Sequence, residues 1–63
     1  MCEARAYFLE NQESRLIMEN VDRIEPDGDG LRLVNIFGEQ KFIKARIRAI
    51  ALMENKVLLE PAA

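Results

Sequence analysis

Very few side chains in this sequence can do chemistry near neutral pH. There is no histidine, threonine or tryptophan, Ser14 is the lone serine, and Cys2 is the only thiol. General acid–base work would fall to carboxylates, lysines, Tyr7 or Cys2, and a nucleophilic Cys2 would have no imidazole to activate it. The composition points away from an enzyme. What stands out is where the cysteine sits. A cysteine is most often a small buried hydrophobe, and Cys2 shares its alternation with Ala4, Ala6 and Phe8. Yet Cys2 becomes the N-terminal residue if Met1 is removed, and an α-amine and a thiol on one carbon can close a five-membered chelate ring. Their reference pKa values, ~8 and ~8.5, let a metal displace both protons near neutrality. Thiolate and nitrogen donors, including deprotonated main-chain amides, favour square-planar Ni(II) or Cu(II). One chain supplies half of such a set. Two chains meeting at their first strands would supply both halves.

Two other clusters invite a functional reading. Glu25, Asp27, Asp29 and Gly30 follow the spacing of the first residues of an EF-hand calcium loop. The bidentate glutamate that should close the loop is replaced by Ile36, and Pro26 removes a flanking helix, so a solvated turn is expected. The second cluster is the basic series Lys41, Lys44, Arg46 and Arg48, with Phe37 and Phe42 near it in sequence. Small β-barrels bind RNA with such a strand and exposed aromatics, which makes a nucleic-acid-binding barrel the alternative function. Alternating Lys and Arg on a strand is more usually a solvated face, here balanced by eleven carboxylates.

The elements that carry these residues read as strands. Cys2, Ala4, Ala6 and Phe8 alternate with Glu3, Arg5 and Tyr7; Leu31 and Leu33 flank Arg32; Ile43, Ala45, Ile47 and Ala49 alternate with Lys44, Arg46 and Arg48. Val57, Leu58 and Leu59 form a last apolar run before Pro61. Turn signals separate the pieces: Asn11-Gln12-Glu13-Ser14, Pro26-Asp27-Gly28-Asp29-Gly30, Gly38-Glu39 as a two-residue type II′ loop, and Asn55 in a left-handed conformation. Residues 14–25 and 41–53 also fit helical spacing, and the first of these stays open between helix and strand. The expected fold is all-β, a small SH3-like curled barrel of about five to seven short strands in a single domain, 1–63.

Sixty-three residues bury little surface, and a chain near 60 residues hides only ~60% of what it exposes when unfolded. One cysteine cannot make an internal disulfide, which leaves a metal or a second subunit to add stability, and a homodimer is expected. A net charge of −2 gives no pull toward nucleic acid or anionic membrane. No apolar run approaches the ~20 residues of a membrane span. The first residues lack the pattern of a signal peptide, so the reducing cytoplasm is the expected compartment.

The opening Met1-Cys2-Glu3-Ala4-Arg5-Ala6-Tyr7 resembles that of the CooT-type nickel-binding proteins, small accessory proteins linked to nickel insertion into carbon monoxide dehydrogenase. The likeness continues through Leu16-Ile17-Met18-Glu19-Asn20-Val21-Asp22 and Asn35-Ile36-Phe37-Gly38-Glu39-Gln40-Lys41, and ends at Lys56-Val57-Leu58-Leu59-Glu60. It implies an SH3-like or Sm-like barrel, a homodimer, and one Ni(II) at the subunit interface, bound through Cys2 with backbone nitrogens near Met1, Cys2 and Glu3. The function it implies is a metallochaperone or nickel reserve with no catalysis, whose partners are its own second copy and a nickel enzyme or its insertion machinery.

Overall fold

The computed structural model describes residues 3–62. Six strands follow in order: β1 (Ala4–Glu10), β2 (Glu13–Asp27), β3 (Gly30–Asn35), β4 (Gln40–Ile43), β5 (Ala45–Ala51) and β6 (Lys56–Pro61), with a 3₁₀ turn at Leu52–Glu54 between the last two. They form one sheet in the order β4-β3-β2-β1-β6-β5. All neighbours are antiparallel except β1 and β6, which run parallel. The all-β curled half-barrel matches the expectation. The segment left open between helix and strand is strand, and it belongs to a single long one.

That long strand, β2, is what curls the sheet. Its first half pairs with β1 (Leu16 opposite Tyr7) and its second half with β3 (Ile24 opposite Leu33). Asn20 sits between them in the left-handed region, at φ 56, and register shifts flank it on both sides. Bulges of this kind bend a strand and sharpen its twist. One strand can therefore serve two neighbours in succession. At the far side, β4 and β5 are separated only by Lys44, so the chain passes from one edge of the sheet directly to the other. Gly30 lies against this corner, where a side-chain carbon would stand 2.5 Å from the Ile43 carbonyl oxygen.

The core lies on the concave face. Ala6, Phe8, Met18, Val21, Leu33 and Leu59 are all buried there, Leu33 and Leu59 completely. The alternation read in β1 holds for its described residues: Ala6 and Phe8 are buried, Arg5 is exposed. In β5 it fails halfway. A register shift between Ile47 and Ala49 places Ile47 opposite Leu59 but Ala49 opposite Leu58, so Ile50, not Ala49, continues the inward row. An extra residue in one strand flips every later side chain.

The turns differ in one respect from expectation. Asn11 and Gln12 both have positive φ, the pattern of a type I′ hairpin loop, and Gly28 (φ 62) opens a two-residue loop closed by Asp27 and Gly30. At Gly38 the loop has three residues, not two. The Gly38 N–H donates to the Asn35 carbonyl (3.0 Å), and the Asn35 N–H donates to the Glu39 carbonyl (3.0 Å). Gly38, at φ 85, is the left-handed residue that ends the turn. The cause is the buried Asn35 side chain. Its Oδ1 accepts the N–H groups of Phe37 (3.0 Å) and Glu39 (2.9 Å), and its Nδ2 donates to Glu39 Oε1 (2.7 Å).

Candidate functional site

Cys2 and Met1 lie outside the described residues, which begin at Glu3. Glu3 is exposed and leads into β1 at Ala4, which is opposite Val21 of β2. The Arg5 N–H donates to the Asn55 carbonyl (2.8 Å), and the Asn55 N–H donates to the Leu52 carbonyl (3.2 Å). The start of β1 is thereby fastened to the 3₁₀ turn. Asn55 adopts the left-handed conformation expected for it, at φ 55, which closes that turn. On the other flank, the Ile36 N–H donates to the Asn20 carbonyl (2.9 Å), and Glu3, Arg5, Glu19 and Asn20 line a shallow recess.

This end of the molecule joins an anchored backbone to an apolar surface. Leu52 is 80% exposed and Met53 fully exposed, both on the turn that holds Arg5. Sequence reasoning missed this pair, because a Leu-Met dipeptide after an alanine-rich run looks like core. Among the described residues no cluster of three or more histidine, cysteine or carboxylate side chains could hold a metal ion. Glu3 and Glu19 are oxygen donors suited to hard cations, and the Met53 thioether is a weak ligand.

The acidic turn is spoken for. Glu25 accepts from Arg32 (2.6 Å) and Arg23 (3.2 Å), and Asp29 pairs with Lys44 at 3.5 Å. The hydrogen bond from Arg32, followed by the charge of Arg23, holds the Glu25 carboxyl below the usual carboxylate range. Residues 27–30 form a tight hairpin, and a calcium loop does not form. The basic series is not one stripe. Lys41 lies on β4 and donates to the Ile17 carbonyl (3.2 Å), Lys44 is the corner, and Arg46 and Arg48 lie on β5 at the opposite edge of the sheet. Both arginines face the single carboxylate of Glu60, at 2.6 and 3.9 Å. Phe37 and Phe42 are exposed, but the charges are divided between two edges.

No helix among the described residues is long and apolar enough to cross a membrane. The chain matches the family model for the CO dehydrogenase accessory protein CooT over residues 1–60. It is 35% identical over 60 residues to an uncharacterized protein of Methanocaldococcus jannaschii, covering 95% of this chain and 98% of that one. Its structure is similar to a crystal structure assigned to CooT of Carboxydothermus hydrogenoformans, with a TM-score of 0.87, 42% identity, and 95% and 97% of the two chains covered. The family resemblance read from the opening residues is therefore shown over nearly the whole chain, in sequence and in fold: this chain belongs to the CooT family of CO dehydrogenase accessory proteins.

Proposed function

We propose that the protein is a cytoplasmic nickel carrier or reserve that acts as a homodimer and binds one Ni(II) per dimer through Cys2. Membership of an accessory family linked to CO dehydrogenase is the observation that carries this reading. The donor inventory supports it independently. Cys2 is the one strong soft ligand in a chain without histidine, and it precedes a strand whose first backbone groups are fixed by Asn55. Each chain contributes one thiolate with main-chain nitrogens near Met1, Cys2 and Glu3, and a two-fold contact completes a square-planar set. Exposed Leu52 and Met53, on the turn tied to the start of β1, are the apolar surface that such a contact would cover.

A carrier needs no catalytic group. The metal is cargo, held until a nickel enzyme or its insertion machinery takes it. Titration of the Met1-processed protein with Ni(II) tests this beside Cys2→Ser. The parent should bind one ion per dimer with a sulfur-to-nickel charge-transfer absorption, a diamagnetic ion, and affinity that rises with pH as the thiol loses its proton. Cys2→Ser should lose the absorption and most of the affinity while keeping the fold. Equal nickel affinity in the two proteins would refute the site.

A further inference from the structure

The sheet has two edges, and they are not alike. One is β4, four residues long, and short edge strands are one way natural sheets avoid unwanted pairing. The other is β5, seven residues long and free of proline. It pairs with β6 on one side and, among the described residues, with no strand on the other. Alternate residues of β5 therefore turn their N–H and C=O groups toward open solvent, a row that another extended chain can complete.

Both faces beside this edge carry instructions for an incoming strand. On the concave face, two rows of side chains cross the sheet and end on β5. One runs Arg15, Phe8, Leu59, Ile47, and the other Met18, Ala6, Val57, Ile50. Their inner members are buried, but Ile47 is 44% and Ile50 54% exposed. Each row stops one strand short of being covered. On the convex face stand Arg46 and Arg48, which share the single carboxylate of Glu60 as their ion-pair partner. A strand added beside β5 would place alternate residues next to the isoleucines and the rest next to the arginines.

We infer that the free edge of β5 is a strand-addition site for an extended segment of a partner protein in which acidic and apolar residues alternate. A second copy of this chain is the obvious competitor, and charge argues against it. Two β5 strands paired across a two-fold axis would gather four arginines on one face, and like charges on neighbouring strands are destabilising. The bulge between Ile47 and Ala49 further hinders regular self-pairing. An acidic–apolar strand brings carboxylates to those arginines instead, and it meets one bulged strand where self-pairing would join two. The inference stands on β5 and holds whether or not Cys2 carries nickel.

The test is a titration of the isotopically labelled full chain with a synthetic peptide of alternating glutamate and valine, followed by amide NMR. Shifts should concentrate on Ala45–Ala51, and β5 amides should exchange more slowly with solvent. A peptide with lysine in place of glutamate should bind at least about tenfold more weakly, as should the Arg46→Glu/Arg48→Glu double variant toward the original peptide. N-methylation of either the valines or the glutamates removes the donors on one side only. One of these two peptides should lose binding and the other keep it. Absence of shifts at millimolar peptide overturns the inference. So does equal binding of the lysine peptide, or binding by both methylated forms. Concentration-dependent changes in β5 of the protein alone would overturn it in favour of self-pairing.

Discussion

Replacing Gly30 with alanine would test how the half-barrel is held at its corner. The backbone at Gly30 is not in the left-handed region, so alanine can adopt it, and the whole effect is steric. A methyl group built there lies 2.5 Å from the Ile43 carbonyl oxygen, 2.9 Å from Phe42 Cζ and 3.0 Å from Lys44 Cα. The phenyl ring can swing away, since Phe42 is half exposed, but two of the three contacts are backbone. Relief requires β4 and the corner to move away from β3. Overpacking costs about 1–3 kcal/mol, and immovable backbone puts this site in the upper half of that range. Alanine also restricts the unfolded chain, which returns about 0.4–1 kcal/mol. The net loss should be about 2 kcal/mol. A 63-residue domain has a total stability on the order of 3–9 kcal/mol, so the loss is a large fraction of it. Thermal unfolding should fall by about 8–16 °C, and urea unfolding should give a lower midpoint with an unchanged slope. Gly28→Ala is the control. Nothing lies within 4 Å of its added carbon, so its cost, about 1 kcal/mol, comes only from positive φ. A Gly30→Ala protein within about 0.5 kcal/mol of the parent would show that the corner is not tightly closed.

Three further outcomes are expected. Asn35→Ala should lose about 1–3 kcal/mol in urea unfolding, because the N–H groups of Phe37 and Glu39 lose their acceptor, and NMR should show the change centred on the β3–β4 loop. Glu25 should stabilise the fold above the ordinary carboxylate range and stop doing so as pH falls through its lowered folded pKa, since Arg32 favours the ionised form; Glu25→Gln should therefore unfold with a shallower acid dependence than the parent. Lys44→Ala and Arg46→Ala should leave the proposed nickel affinity unchanged in calorimetric titration, because Lys44 at the corner and Arg46 on β5 carry no soft donor and pair with Asp29 and Glu60.

The strand content and much of the core were legible because period-two alternation is a local property. Ala6 and Phe8 in β1 and Leu33 in β3 are where alternation put them, whereas the run Val57-Leu58-Leu59 did not say which of its members turn inward. The failures lie where a specific contact overrides the pattern. The length of β2 and the change of face in β5 depend on pairing with other strands, and the three-residue loop at Gly38 depends on the Asn35 side chain. Asn20 turns β2 because β1 and β3 both need it, and Asn35 captures two N–H groups that a two-residue loop would have placed elsewhere. Cys2 is a candidate ligand on other grounds, its singular place in composition and position, and it lies outside the described residues. The exposed Leu52 and Met53 were not legible, because apolar residues announce burial whether a chain or its partner provides it.

The parallel pairing of β1 with β6 also governs when this protein can fold at all. Arg5 meets Lys56 and Phe8 meets Leu59, partners about fifty residues apart, and such pairings fold late and slowly. β6 is sixth in sequence but fifth in the sheet, wedged between β1 and β5, so β5 has no neighbour until β6 is in place. A ribosome must release β6 before Phe8 finds Leu59 and before Arg5 is tied to Asn55. Hairpins of β2, β3 and β4 can flicker into being during synthesis, but the first strand stays unfastened until the sixth arrives. The start of the first strand is thus fastened only on a completed sheet.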